Sequence, residues 1–265
     1  MKYQRELVSK IDNYVSNSAL PRTLLLEGEW GCGKHTLAQY IADKKDLPLN
    51  DITQSLTLET IERIMLSPSP AVYVIDASSI SIKEQNIILK FLEEPLKNAY
   101  IILLVENKAT LLNTVVNRCQ CLSFERYSDA ELSSFIEDHT GWTSEMYYLA
   151  NTPGRVMLFC NSPIVEMIDF AKKVLTQVRV ANYSNILTIP SKLNFKDDKE
   201  LYDFDLFCYI LINIADILYT TDIVPFSVYQ LTSQFYDDTK IPRINKQNLF
   251  EHYIIELKRL YERGT

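Results

Sequence analysis

The stretch that most constrains this chain is the apolar run Thr23-Leu-Leu-Leu-Glu27 followed at once by Gly28-Glu-Trp-Gly-Cys-Gly-Lys-His-Thr36. The run reads as a buried strand, and the spacing G-x-x-x-x-G-K comes directly after it. From Thr36 to Ala42, Leu37, Tyr40 and Ile41 recur at helical spacing. Strand, glycine turn and helix in that order predict a phosphate-binding loop, where backbone N–H groups and one lysine surround the phosphates of a nucleotide. The chain has only six glycines, and three of them, Gly28, Gly31 and Gly33, sit here. A purely structural glycine turn is the competing reading, and the flanking strand and helix weigh against it.

The first half alternates short apolar strands with helices. A helix spans 1–20 and Pro21 ends it. Strands are expected at 71–76, 100–105 and 120–124, with helices over 57–66, 81–94 (stopped by Pro95) and 109–117. That alternation predicts an α/β domain built on a parallel sheet covered on both faces. After Glu125 the pattern changes. Ser128-Asp-Ala-Glu131 spells a capping box, small helices follow to about 178, and 181–200 is polar and broken, as an inter-domain connection would be. Leu206 to Tyr219 is nearly all apolar and reads as a core helix. In 245–263, Leu249, Tyr253, Ile254, Leu257 and Leu260 form one helical stripe. The expected division is 1–125, 126–178 and 179–265.

Composition narrows the function. A net charge of −7 means the surface as a whole repels polyanions, so contact with nucleic acid must be local or made through partners. Lys83, Lys90 and Lys97 near one helix read as a solvated face. The five cysteines contain no C-x-x-C pair, so neither zinc nor a disulfide framework is expected. Cys119-Gln-Cys121 could be a metal pair, but strand alternation is expected to separate the two thiols. No apolar run approaches the ~18 residues of a membrane span. The first residues are amphipathic and charged, unlike a secretion signal, and the expected location is the cytoplasm.

Within the loop, Lys34 is in register for the phosphates, but His35 stands where a Ser or Thr hydroxyl would hold Mg²⁺. Imidazole is a poor donor for an ion that demands small, octahedral oxygen coordination, and Thr36 is one residue late. Asp76 ends the second expected strand, where a carboxylate orients the metal. The next residue is Ala77, which cannot accept a proton from an attacking water.

Longer stretches resemble one family. VYVIDASSISIKEQNIILKFLEEP (72–95) is similar to the acidic-strand and LEEP segment of bacterial clamp-loader ATPases. YIILLVENKATLLNTVVNRCQCLSF (100–124) resembles their strand, helix and S-R-C motif. NTPGRVMLF (151–159) resembles the G-S-P-G-x-A segment of the delta-prime branch, and INKQNLFEHYIIELKRLYE (244–262) resembles the last collar helix. The resemblance implies an AAA+ fold: a RecA-like domain, a helical lid and a helical collar. It makes Lys34 the phosphate lysine, Asp76 the metal-orienting acid and Arg118 an arginine finger offered in trans to a neighbour. ATP is the nucleotide it implies for Gly28, Gly31, Gly33, Lys34, His35, Thr36 and Asp76, with the usual Mg²⁺ ligand missing and no zinc. Implied partners are the motor ATPase and delta subunits of a DNA polymerase III hetero-oligomer, a sliding clamp and primed DNA. Glu106 falls at the sensor-1 position, and Gly154, beside Arg155, at the sensor-2 position. Nucleotide binding without turnover is the expected behaviour. A self-sufficient ATP-hydrolysing motor subunit and a nucleotide-independent scaffold stay open as alternatives.

Overall fold

The computed structural model describes residues 4–66, 69–78, 80–93, 99–136, 142–186, 188–195, 202–241 and 243–263. The chain divides into two compact units, Met1–Leu158 and Phe159–Thr265.

The first unit opens with α1 (Arg5–Ser16), β1 (Thr23–Glu27), α2 (Lys34–Lys45) and β2 (Leu49–Asp51). It continues through α3 (Leu58–Leu66), β3 (Val72–Asp76), α4 (Ile82–Glu93) and β4 (Tyr100–Val105). Then come α5 (Asn113–Val116), β5 (Gln120–Ser123), α6 (Asp129–Ser133), α7 (Ser144–Leu149) and α8 (Pro153–Cys160). Pro95 and Lys97 lie outside the described residues. The five strands form one parallel sheet in the order β2-β3-β4-β1-β5.

Strand alternation sends Leu24 and Leu26 to one face, against Ile11, Leu37 and Ile41, and Leu25 to the other, with Ile88, Phe91 and Val115. Both faces are thus dry, which is why the strands read as unbroken apolar runs. Each fully buried Leu or Ile here contributes about 1.5–3 kcal/mol relative to exposure. β2 was not anticipated. Leu49-Asn-Asp51 is a half-exposed edge strand held by pairing with β3, so it carries neither an apolar run nor alternation. The two thiols of Cys119 and Cys121 are not separated as expected, because residues two apart on extended chain share a face. Both pack on the cluster containing Leu25.

The second unit holds α9 (Ile164–Gln177), α10 (Tyr183–Ile186), β6 (Leu193–Asn194), β7 (Tyr202–Asp203), α11 (Phe204–Thr220), α12 (Phe226–Asp238) and α13 (Lys246–Arg263). Its core helix is α11, with nine buried residues from Phe204 to Leu218. Phe204 and Phe207 meet Phe250 edge-on, and Phe235 stacks on Tyr253 at 4.4 Å between ring centroids. The buried Tyr253 hydroxyl is satisfied by Thr232 at 2.9 Å. The stripe of α13 includes Phe250, with Leu249 and Leu260 at its half-buried margins. The described part of 181–200 lies inside this unit rather than between the two.

Candidate functional site

The loop that follows β1 is held by the sheet at one end and by α2 at the other. Gly28 donates its N–H to Val105 O at 3.0 Å, and Gly33, with φ 104°, turns the chain into α2, where Leu37 N closes the first turn on Gly33 O at 2.9 Å. Gly31 has φ 77°, a conformation a side chain would strain. His35 and Thr36 lie exposed on the first turn of α2.

Lys34 does not project into open space. Its Nζ donates to the carbonyls of Gly28, at 2.5 Å, and Glu29, at 3.0 Å. The loop's one lysine therefore closes its own turn. From the other side, the segment 151–155 lies directly on the loop. Thr152 Oγ1 donates to Trp30 O at 2.9 Å, and Gly154 N to Gly31 O at 3.0 Å. Glu29 Oε2 accepts from Asn151 Nδ2 at 2.6 Å and from Arg155 Nη1 at 2.7 Å, while Arg155 Nη1 also donates to Asn151 Oδ1. The buried Tyr127 hydroxyl donates to Cys32 O at 2.7 Å, and burial pushes that phenol up to about 12. Burial likewise raises the Cys32 thiol, against the pull of nearby Lys34.

A cavity of about 280 Å³ beside the loop is lined by Glu27, Glu29, Glu106 and Glu125, with Arg126 the cation among them. Four carboxylates make this a poor place for a triphosphate. Asp76 sits at the end of β3, and its Oδ1 accepts from Ser78 N at 3.0 Å. Ala77 is 2% exposed and belongs to the core, and its N–H is used by Leu104 O at 2.7 Å. Among the described residues no group of three metal-ligating side chains is found. The loop donors do not provide an ordinary Mg²⁺ site, since the hydroxyl position carries the His35 nitrogen.

Arg118 lies in the turn between α5 and β5, at the opposite end of the sheet from the loop. Thr23, the first residue of β1, donates its hydroxyl to Arg118 O at 2.5 Å. The side chain is 37% exposed, with Nη2 2.7 Å from Glu93 Oε1 and Nη1 2.8 Å from Thr114 O. Lys90 pairs with Glu62 at 2.9 Å on the solvent face of α4.

The residues missed from sequence are Glu29, Asn151 and Thr152. Asn151 meets Glu29, and Thr152 meets Trp30, across 122 positions of chain, and no local period signals such a contact.

Comparison with known proteins shows what parts of the chain are similar to. Residues 42–128 match the family described as "DNA polymerase III, delta subunit". The chain is 35% identical over 68 residues to the DNA polymerase III subunit delta' of Bacillus subtilis, a match covering 25% of this chain and 21% of that one. Among solved structures it is similar to a DNA polymerase III gamma subunit-related protein of Thermotoga maritima (12% identity, TM-score 0.54, 95% and 99% of the two chains). It is also similar to the RuvB Holliday junction branch migration motor of that organism (16% identity, TM-score 0.51, 96% and 87%). The fold is the AAA+ RecA-like one, a parallel sheet covered by helices and followed by a helical region. More narrowly, residues 42–128 are similar to the DNA polymerase III delta family, and the chain spans only 21% of the length of the delta' relative it matches. No helix among the described residues is long and apolar enough to cross a membrane.

Proposed function

We propose that this chain is a delta-prime-like subunit of a clamp loader in DNA replication, which braces a ring of related subunits and lends Arg118 to the ATP of a neighbour. The observation that carries this reading is the separation of Arg118 from its own loop. Its backbone is tied to the first residue of β1, and Gly28 follows the last. Five residues of strand, about 16 Å at ~3.3 Å each, lie between them. An arginine side chain does not span that distance, which supports a role toward a phosphate brought by another molecule once the pair with Glu93 is given up. Such a residue contributes ~10³–10⁵ in rate to the ATPase it completes.

Its own loop is proposed to bind ATP weakly and not to hydrolyse it. Ala77 offers no base, His35 no hard oxygen, and Glu106 adds a repelling carboxylate. In this reading 126–178 acts as lid and 179–265 as collar, within a cytoplasmic hetero-oligomer containing motor ATPase and delta subunits. Reconstituting the loader with a sliding clamp and primed DNA, using Arg118→Ala, tests the central role. An unchanged DNA-stimulated ATPase rate removes the finger.

A nucleotide-independent scaffold is the second reading, favoured by Lys34 bonding to its own loop carbonyls. Equilibrium binding of labelled ATP to the wild type and to Lys34→Ala separates the two. A self-sufficient motor is opposed by Ala77 and His35, and Mg²⁺-dependent turnover by the purified chain would restore it.

A further inference from the structure

The segment 151–155 grips the loop through backbone, through Thr152 and through a charged pair, and the charged pair differs from the others. The glycine crossing and the Thr152 bond are short-range contacts that no ligand charge opposes. Glu29 is different: its side chain is 57% exposed and belongs to the loop itself, and its carboxylate holds the guanidinium of Arg155, whose side chain is only 11% exposed. What Glu29 does is neutralise Arg155 and engage Asn151, both on the segment that lies across the loop. On the inner side, Lys34 is bonded to carbonyl oxygens of Gly28 and of Glu29 itself. Both cations therefore face protein oxygens.

We propose that segment 151–155 is a strap that holds the phosphate loop shut, with Glu29 as its catch. Glu29 is an internal anion that competes with a triphosphate for Arg155 and so sets the affinity of the loop. Its effect on affinity rests on the reading that nucleotide is the loop's ligand, whereas the closed strap does not. A site that is open only part of the time binds more weakly by that fraction, and weakening the catch restores the difference.

The test uses the full chain, with Glu29→Gln, which keeps the shape and removes the charge, and Glu106→Gln, which removes a carboxylate from the same cavity without touching the strap. Amide hydrogen exchange of 28–37, measured without nucleotide, is expected to rise in Glu29→Gln and to stay at the wild-type rate in Glu106→Gln. A fluorescent ATP analogue is expected to bind Glu29→Gln about tenfold tighter than wild type, and Glu106→Gln by a smaller factor. Unchanged exchange in Glu29→Gln overturns the strap. Equal gains in affinity for both variants overturn the catch, since charge alone would then account for them. Faster exchange with no binding by any variant upholds the strap and fells the nucleotide reading instead.

Discussion

The hydroxyl of Thr23 and the carbonyl of Arg118 are hydrogen bonded at 2.5 Å, so the turn carrying the arginine is fastened to the very strand that ends in the phosphate loop. Loop and arginine occupy opposite ends of β1 and are rigidly spaced by it. Thr23→Val removes this fastening without disturbing the guanidinium. In a reconstituted loader it should lower DNA-stimulated ATPase by less than Arg118→Ala does, and steady-state rates of the two variants check this order.

Removing Arg118 should cost the isolated chain little. The pair with Glu93 is exposed on both sides, and such pairs contribute about 0.2–1 kcal/mol. Urea unfolding of Arg118→Ala is expected to stay within about 1 kcal/mol of wild type. A larger loss would assign the arginine a structural duty.

Restoring the missing base should fail. Ala77 is in the core beside Leu103 and Ile75, and a glutamate there must bury a carboxylate. Ala77→Glu is expected to destabilise the first unit by about 2–4 kcal/mol, without producing turnover. Denaturation midpoints and phosphate release by the purified variant read the two effects.

The glycine crossing makes its own prediction. A Cβ on Gly154 would fall 2.5 Å from Gly31 Cα, and one on Gly31 would fall 2.8 Å from Gly154 Cα, where φ is also positive. Gly31→Ala and Gly154→Ala should each lower stability by about 1–3 kcal/mol, less than additively when combined, because both force apart the same crossing. Thermal unfolding of the two single variants and the double variant tests this.

Acid should loosen the first unit. Burial alone would raise the Glu27 carboxyl, but hydrogen bonds from Lys108 and Ser123 outweigh it and hold it below its ordinary 4.5. Glu84 and Glu131 are held down by Ser81 and Ser128 at their helix starts. A carboxyl depressed in the folded state stabilises above its unfolded pKa, and that contribution is lost as pH falls through the folded value. Stability is therefore expected to be level above about pH 5 and to drop below 4.5, the ordinary value for each of the three. The drop should be shallower in Glu27→Gln. Urea titrations across this range measure the slope.

Much of the fold was legible because its causes are local. The apolar runs of β1, β3 and β4 are dry on both faces, and a run without alternation is what such a strand looks like in sequence. Ser128 and Glu131 form the capping box their spelling implies. The edge strand β2 was not legible, because pairing with β3 rather than side-chain burial makes it a strand. The loop was legible as spacing, but not as a closed loop. Glu29 looked like one of four unspecified positions between two glycines, and nothing adjacent announces that Arg155, 126 positions on, will reach it. Long-range polar contacts depend on the completed tertiary fold, and they are where local reading ends.

The meeting of Gly31 with Gly154 has a consequence beyond this one chain. Two backbones that touch without side chains can change only in step, so any descendant that places bulk at one position must move the other segment away or lose the crossing. Paired glycines at these two places, read across a set of genomes, would thus act as a genetic signature of loops that stay clasped, and their joint disappearance would mark lineages in which the pocket has come open.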